Sequence, residues 1–152
     1  MAIHWSEPPE LELHTTSTHG EMPVRIYDSR NATDPFNATG PISDGITRNI
    51  FVDVFPPHTK VAVAAALTIT VVNTVGGGFL KVYPADRTTE PDVSTINWFA
   101  SGQVLASGLV TRLGAALSEV EPAFESRLNV TCSGGSTDFI IDVTAWWLLS
   151  TV

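Results

Sequence analysis

Asp28, Ser29, Arg30, Asn31 and Asp34 bring several side-chain oxygens into one short stretch. Oxygen ligands are what calcium takes. The stretch lacks the regular calcium loop that ends in a bidentate Glu, and Asp and Asn favour turns for local reasons. The expected role is therefore structural. Arg25, Asp28 and Arg30 are read as ion-pair or loop-capping residues, because Arg presents a rigid fork of donors. Glu119, Glu121 and Glu125 are carboxylates of the kind a glycosidase sets across a cleft, but nothing in their spacing makes them converge. His4, His14, His19 and His58 form neither H-x-H nor H-E-x-x-H, so no zinc site is expected. There is no G-x-S-x-G and no P-loop. Gly76-Gly77-Gly78 lacks the Lys and Ser/Thr that hold phosphate, and it reads as a hairpin turn.

Cys132 is the only cysteine, so no intrachain disulfide forms. It alternates with Leu128 and Val130, which makes it a small buried apolar residue and not a nucleophile. Asn31, Asn37 and Asn129 each begin an Asn-x-Thr triplet, read here as chance matches to the glycosylation sequon. No enzyme activity, cofactor or metal is expected.

The elements that would position these residues are strands. At 152 residues the chain fits one domain with room for a sizeable core. Charged residues make up only 16% of it, against roughly a quarter in ordinary soluble domains. So sparse a supply suggests that part of the surface is covered by copies of the chain or by a partner. The net charge of -8 and the scattered basic residues argue against nucleic acid. The first residues have neither a basic segment nor an apolar run, so a product made in a cytoplasm without a secretory signal is expected. The longest apolar stretch, 61–67, is too short to span a bilayer, so no membrane is expected.

Residues 1–23 hold Pro8, Pro9 and Pro23 and few apolar side chains, and are read as an extended arm. Within it Leu11-Glu12-Leu13 alternates, and it is expected to pair with a partner's sheet edge. Trp5 suggests an arm that docks. From 24 to 152 the pattern becomes strand, turn, strand. Candidate strands are 24–28, 46–55, 61–72, 79–83, 94–99, 104–113, 124–132 and 137–149, with a long loop over 29–45. Residues 61–83 are read as a hairpin around the three glycines, and 115–121 as one helical turn before Pro122. In the last strand, strict alternation puts Phe139, Ile141, Val143, Ala145 and Trp147 on one face, and Trp146 on the other. Seven to nine short strands without a convincing helix indicate an all-β domain, a β-sandwich or jelly roll, with a closed barrel as the alternative.

Four separated segments carry a resemblance. They are Arg25-Ile26-Tyr27-Asp28-Ser29-Arg30; 63–73 with Gly78-Phe79-Leu80-Lys81-Val82-Tyr83-Pro84; Ser94-Thr95-Ile96-Asn97-Trp98 with Gly102-Gln103; and Thr137-Asp138-Phe139-Ile140-Ile141-Asp142-Val143. In this order, over roughly residues 24–147, the chain resembles the β-rich domain common in secreted and surface proteins of actinobacteria and in structural proteins of their phages. The resemblance implies an all-β surface or adhesive module without a catalytic site. The chain departs from it in lacking a signal peptide, which favours a virion over a cell surface, and in the bulk of Trp98, Trp146 and Trp147.

The expectation is a phage capsid decoration protein on the outer head surface, bound to the major capsid protein lattice. It is expected to be a homo-oligomer, taken as a trimer from the general habit of such proteins. Trp5, Leu11, Leu13, Trp98, Trp146 and Trp147 are the candidate partner residues. The alternative is a carbohydrate-binding module of a tail or cell wall, with an exposed Trp98 or Trp146 stacking on a glycan.

Overall fold

The computed structural model describes residues 10–15, 23–52, 60–117 and 124–150. These hold eleven strands and no helix: β1 (Leu11–Thr15), β2 (Val24–Asp28), β3 (Ile42–Ser43), β4 (Thr47–Phe51), β5 (Lys60–Val75), β6 (Gly78–Pro84), β7 (Ile96–Trp98), β8 (Leu105–Arg112), β9 (Gly114–Leu117), β10 (Phe124–Ser133) and β11 (Ser136–Ser150). All pairings are antiparallel, within two sheets. The first runs β1-β11-β5-β8, with β2 and β3 also on β11. The second runs β4-β10-β6-β7, with β9 also on β10. No described strand bridges the two, so the architecture is a sandwich and not a closed barrel.

Period-two alternation builds each layer. In β5 Leu67, Ile69 and Val71 are buried while Thr68 and Thr70 stay partly exposed. In β10 Leu128, Val130 and Cys132 are fully buried, and Arg127 and Asn129 are not. The inner faces meet in one core that includes Tyr27, Ile50, Leu80, Trp98, Phe139 and Trp146. Each large apolar side chain buried there contributes about 1.5–3 kcal/mol.

β11 organises the first sheet. One edge pairs with β5 along nearly its whole length. The other edge is filled end to end by three short strands: β3 against Ser136 and Thr137, β2 from Ile140 to Val143, and β1 from Ala145 to Leu149. The strand from the arm thus adds to the chain's own sheet and not to a partner's edge, because β11 beyond Val143 leaves its backbone groups open there.

The expected hairpin over 61–83 does not form. β5 belongs to the first sheet and β6 to the second, and Gly76-Gly77 carries the chain between layers. Gly134-Gly135 carries β10 into β11 in the same way. The two crossings stack so tightly that side chains are excluded. A Cβ on Gly78 would lie 2.5 Å from the Gly134 carbonyl oxygen and 2.5 Å from Trp98 Cζ2. A Cβ on Gly135, whose φ is +46°, would collide with the Val75 carbonyl oxygen.

Two further expectations change. Gly114–Leu117 is strand β9 and not the start of a helical turn, and 118–121 lies outside the described residues. An isolated turn gains little from one hydrogen bond, whereas pairing with Phe124–Arg127 of β10 satisfies this backbone. In β11 the register skips Thr144, since Val143 stands opposite Leu67 and Ala145 opposite Ala66. One inserted residue reverses the side-chain alternation. Trp146 and Leu148 therefore join the core with Phe139, Ile141 and Val143, and Trp147 turns to the outer face.

Candidate interaction surface

The outer face of the first sheet gathers apolar residues from four strands. Leu13 on β1 stands opposite Trp147 on β11, and Trp147 stands opposite Ala64 on β5. In the next row Thr15, Ala145, Ala66 and Val110 follow one another across β1, β11, β5 and β8. Cross-strand partners share a face, so Leu11, Leu13, Trp147, Leu149, Ala64, Ala66 and Val110 lie on one side. Leu11 is 57% exposed, Leu13 51% and Val110 68%. Contiguous exposed apolar area of this kind marks interaction sites.

The charges beside this patch are held in ion pairs, and one of them, Arg112, stands opposite Ala64 on the same side. Arg25 Nε donates to Asp142 Oδ1 at 2.9 Å. Arg112 Nη2 pairs with Asp86 Oδ1 at 2.9 Å. Arg30 donates to both oxygens of Asp28, from Nε at 2.9 Å and Nη2 at 2.8 Å. The Arg30 hydrogen bonds hold the Asp28 carboxyl below the usual carboxylate range, against a smaller opposing effect of burial. Arg112 does the same for Asp86.

The six candidate partner residues separate. Leu11, Leu13 and Trp147 come together on the outer face. Trp98 and Trp146 are each 1% exposed and belong to the core. That corrects their assignment to a partner or glycan surface. Trp98 packs under the glycine crossings, and Trp146 is turned inward by the Thr144 bulge and covered by the His14 ring at 6.4 Å. Trp5 lies outside the described residues.

The oxygen-rich stretch after β2 is spent on turns. Asp34 Oδ1 accepts from the backbone amides of Phe36 and Asn37, and Asn31 Oδ1 accepts from the Thr33 amide and hydroxyl. Buried Ser29 donates to Asp138 Oδ1 at 2.7 Å and accepts from the Phe139 amide at 2.9 Å, so it is held as a structural link. Among the described residues no three His, Cys, Asp or Glu side chains gather as a metal site. Glu119 and Glu121 lie outside those residues, as do His4, His19 and His58. Cys132 is fully buried, and burial pushes its thiol up to about 11, with a smaller push from Asp44.

Three features escaped the sequence reading. Arg48 caps the loop after β2, a role expected of Arg25 and Arg30; its place two residues before buried Ile50 was the available signal. Ala64, Ala66 and Val110 complete the outer face, which only register reveals. Phe99 is 83% exposed beside the glycine crossings, where Gly76 N donates to Ser101 Oγ at 2.9 Å and Gly102 N to the Thr74 carbonyl at 2.8 Å. Val75 and Val104 are also exposed at this end. No protein-family model matches the chain, and no curated protein matches it in sequence.

Proposed function

We propose that this protein is a structural component of a phage virion, most specifically a decoration protein seated on the outside of the head. The observation that supports it most is the apolar outer face of the first sheet, where Leu13 stands opposite Trp147 in a chain of net charge -8. A strongly acidic chain whose charges beside this patch are held in ion pairs is suited to bury the patch against a partner. Aromatic and aliphatic side chains at the centre of a contact, with ion pairs at its rim, are the usual anatomy of a protein interface. The resemblance to phage and surface domains of actinobacteria supplies the kind of partner, a lattice of major capsid protein. Function is then mechanical: homo-oligomeric copies bind many equivalent lattice positions and gain by avidity. The carbohydrate-binding alternative loses its carriers, since Trp98 and Trp146 are buried.

Cosedimentation tests this reading. The full chain is mixed with heads of actinobacterial phages stripped of their own decoration proteins. Binding is expected, and the Leu11→Lys/Leu13→Lys variant is expected to bind at least about tenfold more weakly. A full chain that stays in the supernatant with every head, or a variant that binds as well as its parent, overturns the proposal. Binding on a glycan array without binding to heads restores the carbohydrate alternative.

A further inference from the structure

β8 is an outer strand of the first sheet. Among the described residues only β5 pairs with it, from Leu105 to Arg112. An unpaired edge of this length presents a row of free backbone donors and acceptors. Natural sheets guard such edges with charge, proline or a bulge. The other outer strands of five residues carry charge: Glu12 on β1, Arg25 and Asp28 on β2, and Arg48 on β4. β8 has no such guard before its last residue. From Val93 to Thr111 there is no Asp, Glu, Lys, Arg or Pro.

The net charge of -8 makes two copies of the chain repel wherever their charged surfaces meet. β8 is where they can approach without that penalty. A two-fold axis through Gly108 sets the strand antiparallel to its counterpart. Leu105 then stands opposite Thr111, Ala106 opposite Val110, and Ser107 opposite Leu109. Arg112 stands opposite Val104, so no like charges face each other. The faces also agree. Ala106 and Val110, both exposed, share the outer side, and Leu105 and Leu109, both packed partly against the core, share the inner side.

We propose that β8 is a homodimer interface that joins the first sheets of two copies into one continuous sheet. The contact is isologous and closes at two chains, in place of the expected trimer. It sets the two apolar outer faces side by side, and it stands whichever partner those faces meet.

The solution mass of the full chain, followed by light scattering through a dilution series, tests the proposal. Two chains are expected at high concentration. Ala106→Lys/Val110→Lys places charge on exposed side chains of the edge and is expected to leave one chain, with an unchanged circular dichroism spectrum. Val93→Lys, equally exposed but outside the edge, is expected to keep two. Hydrogen exchange of the parent needs no variant: the amides in 105–111 that point away from β5 are expected to exchange at least about tenfold faster once the dimer is diluted apart. One chain at every concentration, three chains, a dimer that survives the double lysine variant, or exchange indifferent to dilution each overturns the proposal. Head binding is read separately. A parent chain that is monomeric at every concentration yet binds heads removes the dimer and leaves the proposed function standing.

Discussion

Arg48 on β4 and Tyr27 on β2 meet between the two sheets, with Arg48 Nη1 donating to the Tyr27 hydroxyl oxygen at 2.9 Å. The hydroxyl in turn donates to the Ala38 carbonyl at 2.6 Å. Arg48 Nη1 also reaches the Gly40 carbonyl at 2.7 Å, and Nη2 the Pro41 carbonyl at 3.1 Å. One guanidinium thus fastens the loop after β2 to both layers, and its Cζ lies 5.9 Å from the centre of the Phe139 ring. Burial raises the Tyr27 phenol pKa, and the Arg48 hydrogen bond partly offsets it.

Removing this clamp is expected to cost more than removing an ordinary surface arginine. Arg48→Met deletes a charged donor to three oxygens and should destabilise by about 2–3 kcal/mol, while Tyr27→Phe should cost about 1–2 kcal/mol. Urea unfolding measures both. A midpoint for Arg48→Met equal to that of the parent shows that the clamp adds nothing to stability.

The stacked glycine crossings are expected to be the least tolerant backbone in the sandwich. Gly78→Ala and Gly135→Ala each force a methyl group onto backbone carbonyls. A loss of about 3 kcal/mol or more is expected for each, at the upper end of single substitutions. Thermal unfolding reads the loss, and a drop below about 1 kcal/mol would show that the two crossings separate easily.

Trp146 and Trp147 are adjacent and should behave oppositely. Trp146→Ala empties core volume and should cost about 3–5 kcal/mol. Trp147→Ala, on the outer face, should cost less than half as much but weaken head binding. Urea unfolding and cosedimentation, run on both variants, give the comparison. Equal losses of stability would place the two side chains in one core, against the bulge at Thr144.

Stability should fall at both ends of the pH range, for different reasons. Asp28 and Asp86 titrate below the ordinary value of 3.8 in the folded chain. Their contribution is complete above that value and is lost as pH falls through the folded pKa. The Cys132 thiol titrates near 11 when folded against 9.0 otherwise. The unfolded chain therefore releases its proton first, and stability declines as pH rises from about 9 to about 11. Asp28→Asn should flatten the acid limb and Cys132→Ala the alkaline limb in urea unfolding followed against pH. An alkaline limb unchanged in Cys132→Ala would assign that loss to other groups.

Alternation of apolar and polar residues was enough to place the eight principal strands, the buried Cys132 and the turns at the paired glycines. Those properties are local, because a side chain's direction depends on its neighbours one and two residues away. Pairing is not local. Val-rich segments separated by glycines have the same pattern whether they fold back as a hairpin or cross between layers, and only contacts with β10 and β11 decide for the crossing. The fate of Trp146 and Trp147 turned on one residue that the register skips, Thr144, whose insertion is silent in sequence until the register against β5 is known. The outer face was out of reach for the same reason. Leu13, Ala64, Val110 and Trp147 are far apart in the chain, and the hydrogen-bonded register of four strands is what makes them neighbours.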